Sequence, residues 1–224
     1  MRQFIVQQGS EEWLALRCGV LTTSRFEDAF AQKEVGSVKR GDKRWVYTDT
    51  RQRLIEELAA EYLTGDTLDH YTTFAMRRGI DLEPEAASVA EARLGAILQP
   101  VGFALHDQLQ TGTSLDRLIV GEKAHVEFKC PYDMKKTINI WRTGDISEYI
   151  AQVQGQLWIT GHDYAIVAIY DPRLARRKMD LWTTVVHRSA AEYDRLDRET
   201  RLFLRELSDF KESILEAQEN YRRR

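Results

Sequence analysis

Ser114-Leu115-Asp116, followed about ten residues later by His125-Val126-Glu127-Phe128-Lys129-Cys130-Pro131, is the stretch from which the fold can be read. The pattern over residues 124–129 predicts a strand in which Glu127 and Lys129 share one face and Phe128 points into the opposite packing layer. Asp116 is expected beside them on the preceding hairpin strand. Two carboxylates converging at a sheet edge suit a hard, oxygen-seeking Mg²⁺, and the backbone carbonyl of Phe128 is available as a third ligand. Such an ion would lower the pKa of bound water and steady charge on a phosphate. Lys129 would orient that water or help to deprotonate it, and would offset negative charge in the transition state. A Glu-x-Lys triplet arises by chance about once in a chain of this size. Its alternative is a solvent-facing charge pair on an edge strand, so the surrounding sequence has to decide.

On either side of this stretch the period is that of a mixed fold. Residues 97–105 and 109–115 read as short strands, and Gly121-Glu122-Lys123 reads as a turn. Downstream, a helix is expected over 146–159, strands over 164–170 and 181–187, and a long helix from about 190 to 221. Upstream, Ser10-Glu11-Glu12 looks like a capped helix start, Cys18-Gly19 its end, with Trp13, Leu14 and Arg17 on one side. A second helix is expected near Thr22-Thr23-Ser24. Residues 32–44, polar and basic with Gly36 and Gly41, read as a mobile basic loop. Residues 50–63 form an amphipathic helix closed by Gly65. Residues 72–94 are helical again, with a break or new start marked by Gly79 and Pro84. The expected architecture is α/β (α+β), a central mixed sheet flanked by helices, as one domain over residues 1–224.

The 224 residues are 43% hydrophobic, enough to fill the core of one domain. The 32 Lys and Arg nearly balance 35 Asp and Glu, so any nucleic-acid contact must come from local clustering rather than global charge. Cys18 and Cys130 lack zinc-ligand spacing, which argues against a structural zinc or an iron–sulfur cluster. His106, His125, His162 and His187 show no paired metal spacing and read as structural. Neither a signal-peptide core nor a membrane-length apolar run is present, so a cytoplasmic location is expected.

Several matches in chain order turn the triplet into a specific signal. Trp13-Leu14-Ala15-Leu16-Arg17, Gly19-Val20 and Thr22-Thr23-Ser24 come first, then Gly79-Ile80-Asp81-Leu82-Glu83. Asp116 and Glu127-Phe128-Lys129-Cys130-Pro131 follow, then Ala151-Gln152-Val153-Gln154 with Leu157-Trp158. Together they resemble the phage lambda exonuclease-like, YqaJ viral recombinase family of PD-(D/E)XK nucleases, over most of the chain. The resemblance implies a Mg²⁺-dependent 5′-to-3′ exonuclease, with Mn²⁺ possible, that degrades one strand of linear duplex DNA to mononucleotides and leaves a 3′ single-stranded tail. It also implies a ring-shaped homotrimer working on duplex ends beside a single-strand annealing protein in phage-type recombination. A trimer suits the near-neutral charge, since basic residues need only line the channel. The family usually has Ser-Pro-Asp-Gly at the first carboxylate; Leu115 and Arg117 replace Pro and Gly here, which puts the turn around Asp116 in doubt.

Asp116, Glu127 and the Phe128 carbonyl are then the expected metal ligands, with Lys129 at the water. Glu83 resembles the family's helical carboxylate near the metal; the alternative is a surface glutamate ahead of Pro84. Gln152 resembles a helix glutamine touching metal-bound water or DNA, and a plain surface amide is the alternative. Arg17 and Ser24 look like the pair that binds the 5′ phosphate. Arg17's alternative is a salt bridge to Glu11 or Glu12. Trp13 has two readings, a residue that lines the entry to the site or wedges bases apart and, as is commoner on a short amphipathic helix, a core residue, and it is left out of the site as core; residues 33–44 and 173–178 are basic stretches able to follow a DNA backbone. Two other readings stay open: a structure-specific endonuclease of the same fold, and a DNA-end-binding module whose catalysis has decayed around Leu115 and Arg117.

Overall fold

Tyr164-Ala-Ile-Val-Ala-Ile-Tyr170 is apolar throughout, as a strand covered on both faces must be. It forms β10 (Tyr164–Tyr170), one strand in from the edge of a five-stranded sheet in the order β11 (Leu181–His187), β10, β9 (Ala124–Lys129), β8 (Arg117–Ile119), β5 (Leu98–Pro100). β9 and β10 run parallel and the other pairs antiparallel. The computed structural model describes residues 1–36, 43–68 and 74–223.

Alternate residues of this sheet sort between two helical layers. Ala124, Val126 and Phe128 of β9, with Ile166, Ala168 and Tyr170 of β10, pack against Ala86, Ala87 and Ala90 of α4 (Phe74–Leu94). Ala165, Val167 and Ile169 face the other way, onto Ile140 of α5 (Met134–Thr143) and Val153 and Leu157 of α6 (Ser147–Thr160). A second sheet takes the order β1 (Arg2–Phe4), β6 (Phe103–Leu105), β7 (Thr111–Ser114), β2 (Leu21–Thr22). It is covered by α2 (Phe26–Phe30), α3 (Asp49–Thr64), α6 and α7 (Ala190–Arg222), whose Phe26, Leu54, Leu58, Trp158, Phe203 and Leu207 share one core. α1 (Glu11–Arg17) buries none of its residues.

After the helical passage from β2 to β5, the chain crosses directly from strand to strand between these two sheets at Val101-Gly102 after β5 and at Leu115-Asp116 before β8. Gly102 is required at the first crossing, where a Cβ would run into the backbone of Phe4 and Val6. The second crossing carries Asp116.

The expected mixed α/β architecture is therefore present, with three local corrections. Residues 97–105 form two short strands in different sheets, not one. α4 runs through Gly79 and Pro84 without a break. The carbonyl that loses its Pro84 partner belongs to Ile80, a residue on the exposed side of the helix at 67% exposure. Of the expected basic loop, β3 (Gln32–Val35) and β4 (Arg44–Tyr47) make an antiparallel hairpin in which Lys43 pairs with Glu34; Lys39, Arg40 and Gly41 lie outside the described residues, as does Thr72. Residues 173–178 fall within a 3-10 helix and its end, Pro172–Arg177 closed by Lys178. Among the described residues, no helix is long and apolar enough to cross a membrane.

Candidate active site

The period of β9 sends His125, Glu127 and Lys129 to the α6 side of the sheet, away from the α4 layer that takes Val126 and Phe128. α6 meets them with Gln152 and Gln156, one helical turn apart on the same face. Glu127 Oε1 accepts from Lys129 Nζ and from Gln152 Nε2, both at 2.8 Å, and Oε2 accepts from Gln156 Nε2 at 2.7 Å. Lys129 Nζ also donates to Gln152 Oε1 at 2.9 Å.

Asp116 sits on the bend between β7 and β8, not within a hairpin strand as expected from sequence. β8 pairs with β9 through Arg117 opposite Val126, so the next step of the ladder falls to the Asp116 side chain. Its Oδ2 accepts the Phe128 N–H at 2.7 Å. This bond fixes the carboxylate without the Pro and Gly usual around it. In a strand the N–H and C=O of one residue point to the same side, so the Phe128 carbonyl faces this edge too.

Arg117 occupies the place of the usual Gly and uses its guanidinium locally. It is ion-paired with Glu83 of α4 and donates to the Asp116 carbonyl at 2.6 Å. The five residues read from sequence as catalytic, Asp116, Glu127, Lys129, Glu83 and Gln152, thus lie in one neighbourhood.

Burial pushes the Asp116 carboxyl well above the usual carboxylate range, and the charges of Glu127 and Glu83 push it further. Burial also raises Glu83, against the opposing pull of Arg117. Burial pulls the Lys129 ammonium down, but Glu127 and Asp116 outweigh it and leave Lys129 above its ordinary value. This places a positive charge beside the two carboxylates, where it can orient a water and compensate developing negative charge. Among the described residues no three His, Cys, Asp or Glu side chains close into a ready metal cage. The donor set nevertheless fits a divalent ion: hard oxygens from Asp116, Glu127 and the Phe128 carbonyl, in a cluster where Glu127 is paired with Lys129 and Glu83 with Arg117 while Asp116 accepts from a backbone N–H.

Beside this cluster, Trp13 Nε1 donates to Ser114 Oγ at 3.0 Å and Arg17 Nη1 reaches the same oxygen at 3.4 Å. The Arg17 guanidinium stacks 4.1 Å from the Trp13 ring centroid. Burial lowers its pKa to about 10, with Glu61 opposing and Arg25 adding to the drop. It bonds Ser114, two residues before Asp116 in the chain, and not Glu11 or Glu12. Trp13 is half-buried at this place, not core as read from sequence. Ser24, exposed at the start of the 3-10 turn Thr23–Arg25, bonds Thr22 Oγ1 at 3.1 Å. The basic stretches are partly spent: Lys33 bonds Asp49, and Arg173 bonds Asp171 and the carbonyls of Pro131 and Tyr132.

Sequence reasoning missed Gln156, Arg117 and the Trp13–Ser114 contact. Gln156 was detectable as the i+4 neighbour of Gln152, and Trp13–Arg17 as an i, i+4 pair.

Fold and site together define a class, the nucleases. More particularly, the chain matches the model of the YqaJ-like viral recombinase domain over residues 12–163 and belongs to that family. It is similar to the alkaline exonuclease LHK-Exo from Laribacter hongkongensis, with 29% identity over 95% of this chain and 100% of that chain and a TM-score of 0.82. The structure of LHK-Exo in complex with dAMP gives 30% identity, the same coverages and the same TM-score. A phage-related exonuclease from Haemophilus somnus 129PT shares the fold, at 15% identity over 89% of this chain and 96% of that chain, TM-score 0.64. No curated protein matches.

Proposed function

We propose that residues 1–224 act as one nuclease domain that removes nucleotides from the 5′ end of linear duplex DNA and leaves a 3′ single-stranded tail. The observation that carries this reading is the bonded set Glu127, Lys129 and Gln152 beside an Asp116 carboxylate docked on the Phe128 N–H. Asp116, Glu127 and the Phe128 carbonyl would hold the ion, Mg²⁺ or in its place Mn²⁺, with Glu83 and Gln152 next to it. When bound, the ion supplies an activated water and Lewis-acid stabilisation of the phosphate.

The chain's own residues do the rest. Lys129 spends two of its three N–H bonds on Glu127 and Gln152, and the third is directed to water or a phosphate oxygen. Arg17 and Ser24 hold the terminal 5′ phosphate, Arg17 from a position already tied to Ser114. If a 5′ phosphate is the handle at each round, each cut must regenerate one. Water therefore adds across the P–O3′ bond, the 3′ oxygen leaves with a proton, and the shortened strand keeps the phosphate. The product is a nucleoside monophosphate, the chemical class of the dAMP named with LHK-Exo. Duplex ends, a single-strand annealing protein and two further copies of the chain in a ring are the partners this reading carries, in a cytoplasmic setting.

The Arg117–Glu83 ion pair favours a second reading, an end-binding module whose catalysis has decayed, because it occupies one carboxylate of the cluster. The test is 5′-phosphorylated linear duplex against closed circular duplex, each with Mg²⁺, following acid-soluble nucleotide. Release from the linear form alone supports the exonuclease; cleavage of the circle points to an endonuclease, and binding without cleavage to the decayed module.

A further inference from the structure

The hydrogen bonds behind Glu127 run in a single direction. An ionised carboxylate only accepts, so Gln156 Nε2, 2.7 Å from Glu127 Oε2, donates, and Gln156 Oε1 is turned away from it. That oxygen lies 3.1 Å from His125 Nε2, which must carry the proton. A neutral imidazole protonated at Nε2 has a bare Nδ1, and this atom faces His162 Nδ1 at 3.1 Å, so His162 donates there. His125 and Gln156 are 0% exposed and His162 is 9% exposed. With little water at hand, turning any one of these groups round would set donor against donor or leave an acceptor unpaired.

The setting makes this chain of polar groups unusual for a core. On the same side of the sheet the neighbouring positions of β10 and α6 are Ala165, Val167, Val153 and Leu157, all 0% exposed and apolar. Apolar residues at 125 and 156 would continue that layer at lower desolvation cost. What the polar groups provide instead is an orientation for Glu127: Gln152 and Lys129 hold one oxygen, and Gln156, itself fixed from behind, holds the other.

We propose that Gln156, His125 and His162 are positioning residues that lock the Glu127 carboxylate in the plane in which it receives the divalent ion. The proposal rests on the reading of Glu127 as a ligand. It is tested with Gln156→Met, which keeps length and volume without the amide, with His125→Phe and His162→Phe, and with His125→Gln. The last has an amide able to donate to Gln156 and accept from His162. Each variant is measured for Mn²⁺ affinity by calorimetry, for kcat and KM on linear duplex, and for its urea midpoint.

Gln156→Met is expected to weaken Mn²⁺ binding and lower kcat by about tenfold each, with KM for DNA unchanged. His125→Phe follows in the same direction, His162→Phe more weakly, and His125→Gln recovers to within about threefold of the parent. Parental Mn²⁺ affinity and kcat in Gln156→Met overturn the proposal. So do losses that merely track the urea midpoint across all variants, His125→Gln included. If the parent binds Mn²⁺ but cleaves no DNA, the nuclease reading falls, and the ratio of Mn²⁺ affinities decides the clamp by itself.

Discussion

Asp171 takes no part in the proposed chemistry, yet its fully buried carboxylate is heavily bonded. It accepts from Arg173 Nε at 2.8 Å and Nη2 at 2.6 Å, and from Arg78 Nη2 at 3.2 Å, so that it joins α4 to the connection between β10 and β11. Burial pushes the carboxyl up, but the Arg173 bonds and the charge of Arg78 outweigh burial and leave it below its ordinary value. A depressed folded value means that the ionised form is favoured by folding. The stabilisation is complete above the unfolded carboxylate range and is lost as pH falls through the lower, folded value. Asp171→Asn should therefore cost about 3 kcal/mol at neutral pH, because it leaves Arg78 without its counter-charge. In urea titrations the gap to the parent should hold from neutral pH down to the ordinary carboxylate range and close below it. A gap already closing near neutrality would contradict this account. The candidate cluster was legible at this scale to the extent that residue type and order along the chain pointed to Asp116, Glu127, Lys129, Glu83 and Gln152, which the fold brings into one neighbourhood. Gln156 was not, because an amide on a helix reads as surface until the strand it faces is known, and Arg117 showed only as a departure from a motif.

At the scale of elements, α6 is the piece that connects site and core. One face carries Gln152 and Gln156 to β9, while Gly155 lets the helix approach α2 closely. A Cβ at 155 would stand 2.7 and 2.8 Å from ring atoms of Phe26 and 3.0 Å from Thr23 Cγ2. Phe26 is 0% exposed and has no room to yield. In an open helix Gly→Ala gains up to about 1 kcal/mol; here overpacking should reverse the sign, with a net loss of about 1–2 kcal/mol. The urea midpoint of Gly155→Ala reads this directly, and a variant as stable as the parent would show that α6 can shift. Elements with many residues were legible: β9 lies at residues 124–129 as read, and α3, α6, β10, β11 and α7 fall within a residue or two of the reading. β1, β2 and β8, of two or three residues each, are too short to show a period. α5 was missed as well, a ten-residue helix with just Thr137 and Ile140 buried. The division of β5 to β8 between two sheets was invisible because each direct crossing takes two residues.

For the whole molecule, a formal net charge of −3 gives no general attraction to DNA. Pairs such as Lys43–Glu34 and Arg173–Asp171 neutralise part of the basic surface at short range. Binding to a polyanion then depends on local groups around Arg17 and the site edge, and on how copies of the chain assemble. Near-neutral charge was legible from composition; the placement of two sheets so that Asp116 sits at their junction was not, because it depends on contacts distant in sequence. The central claim is that the cluster of Asp116, Glu127 and Lys129 hydrolyses DNA at duplex ends. The most direct test is single-turnover digestion of 5′-phosphorylated linear duplex with Mg²⁺ by the parent and by Lys129→Ala, with binding of the same duplex measured by anisotropy. The account predicts that Lys129→Ala binds the duplex as the parent does but releases nucleotide at least about a hundredfold more slowly. Cleavage by Lys129→Ala at the parental rate would contradict it.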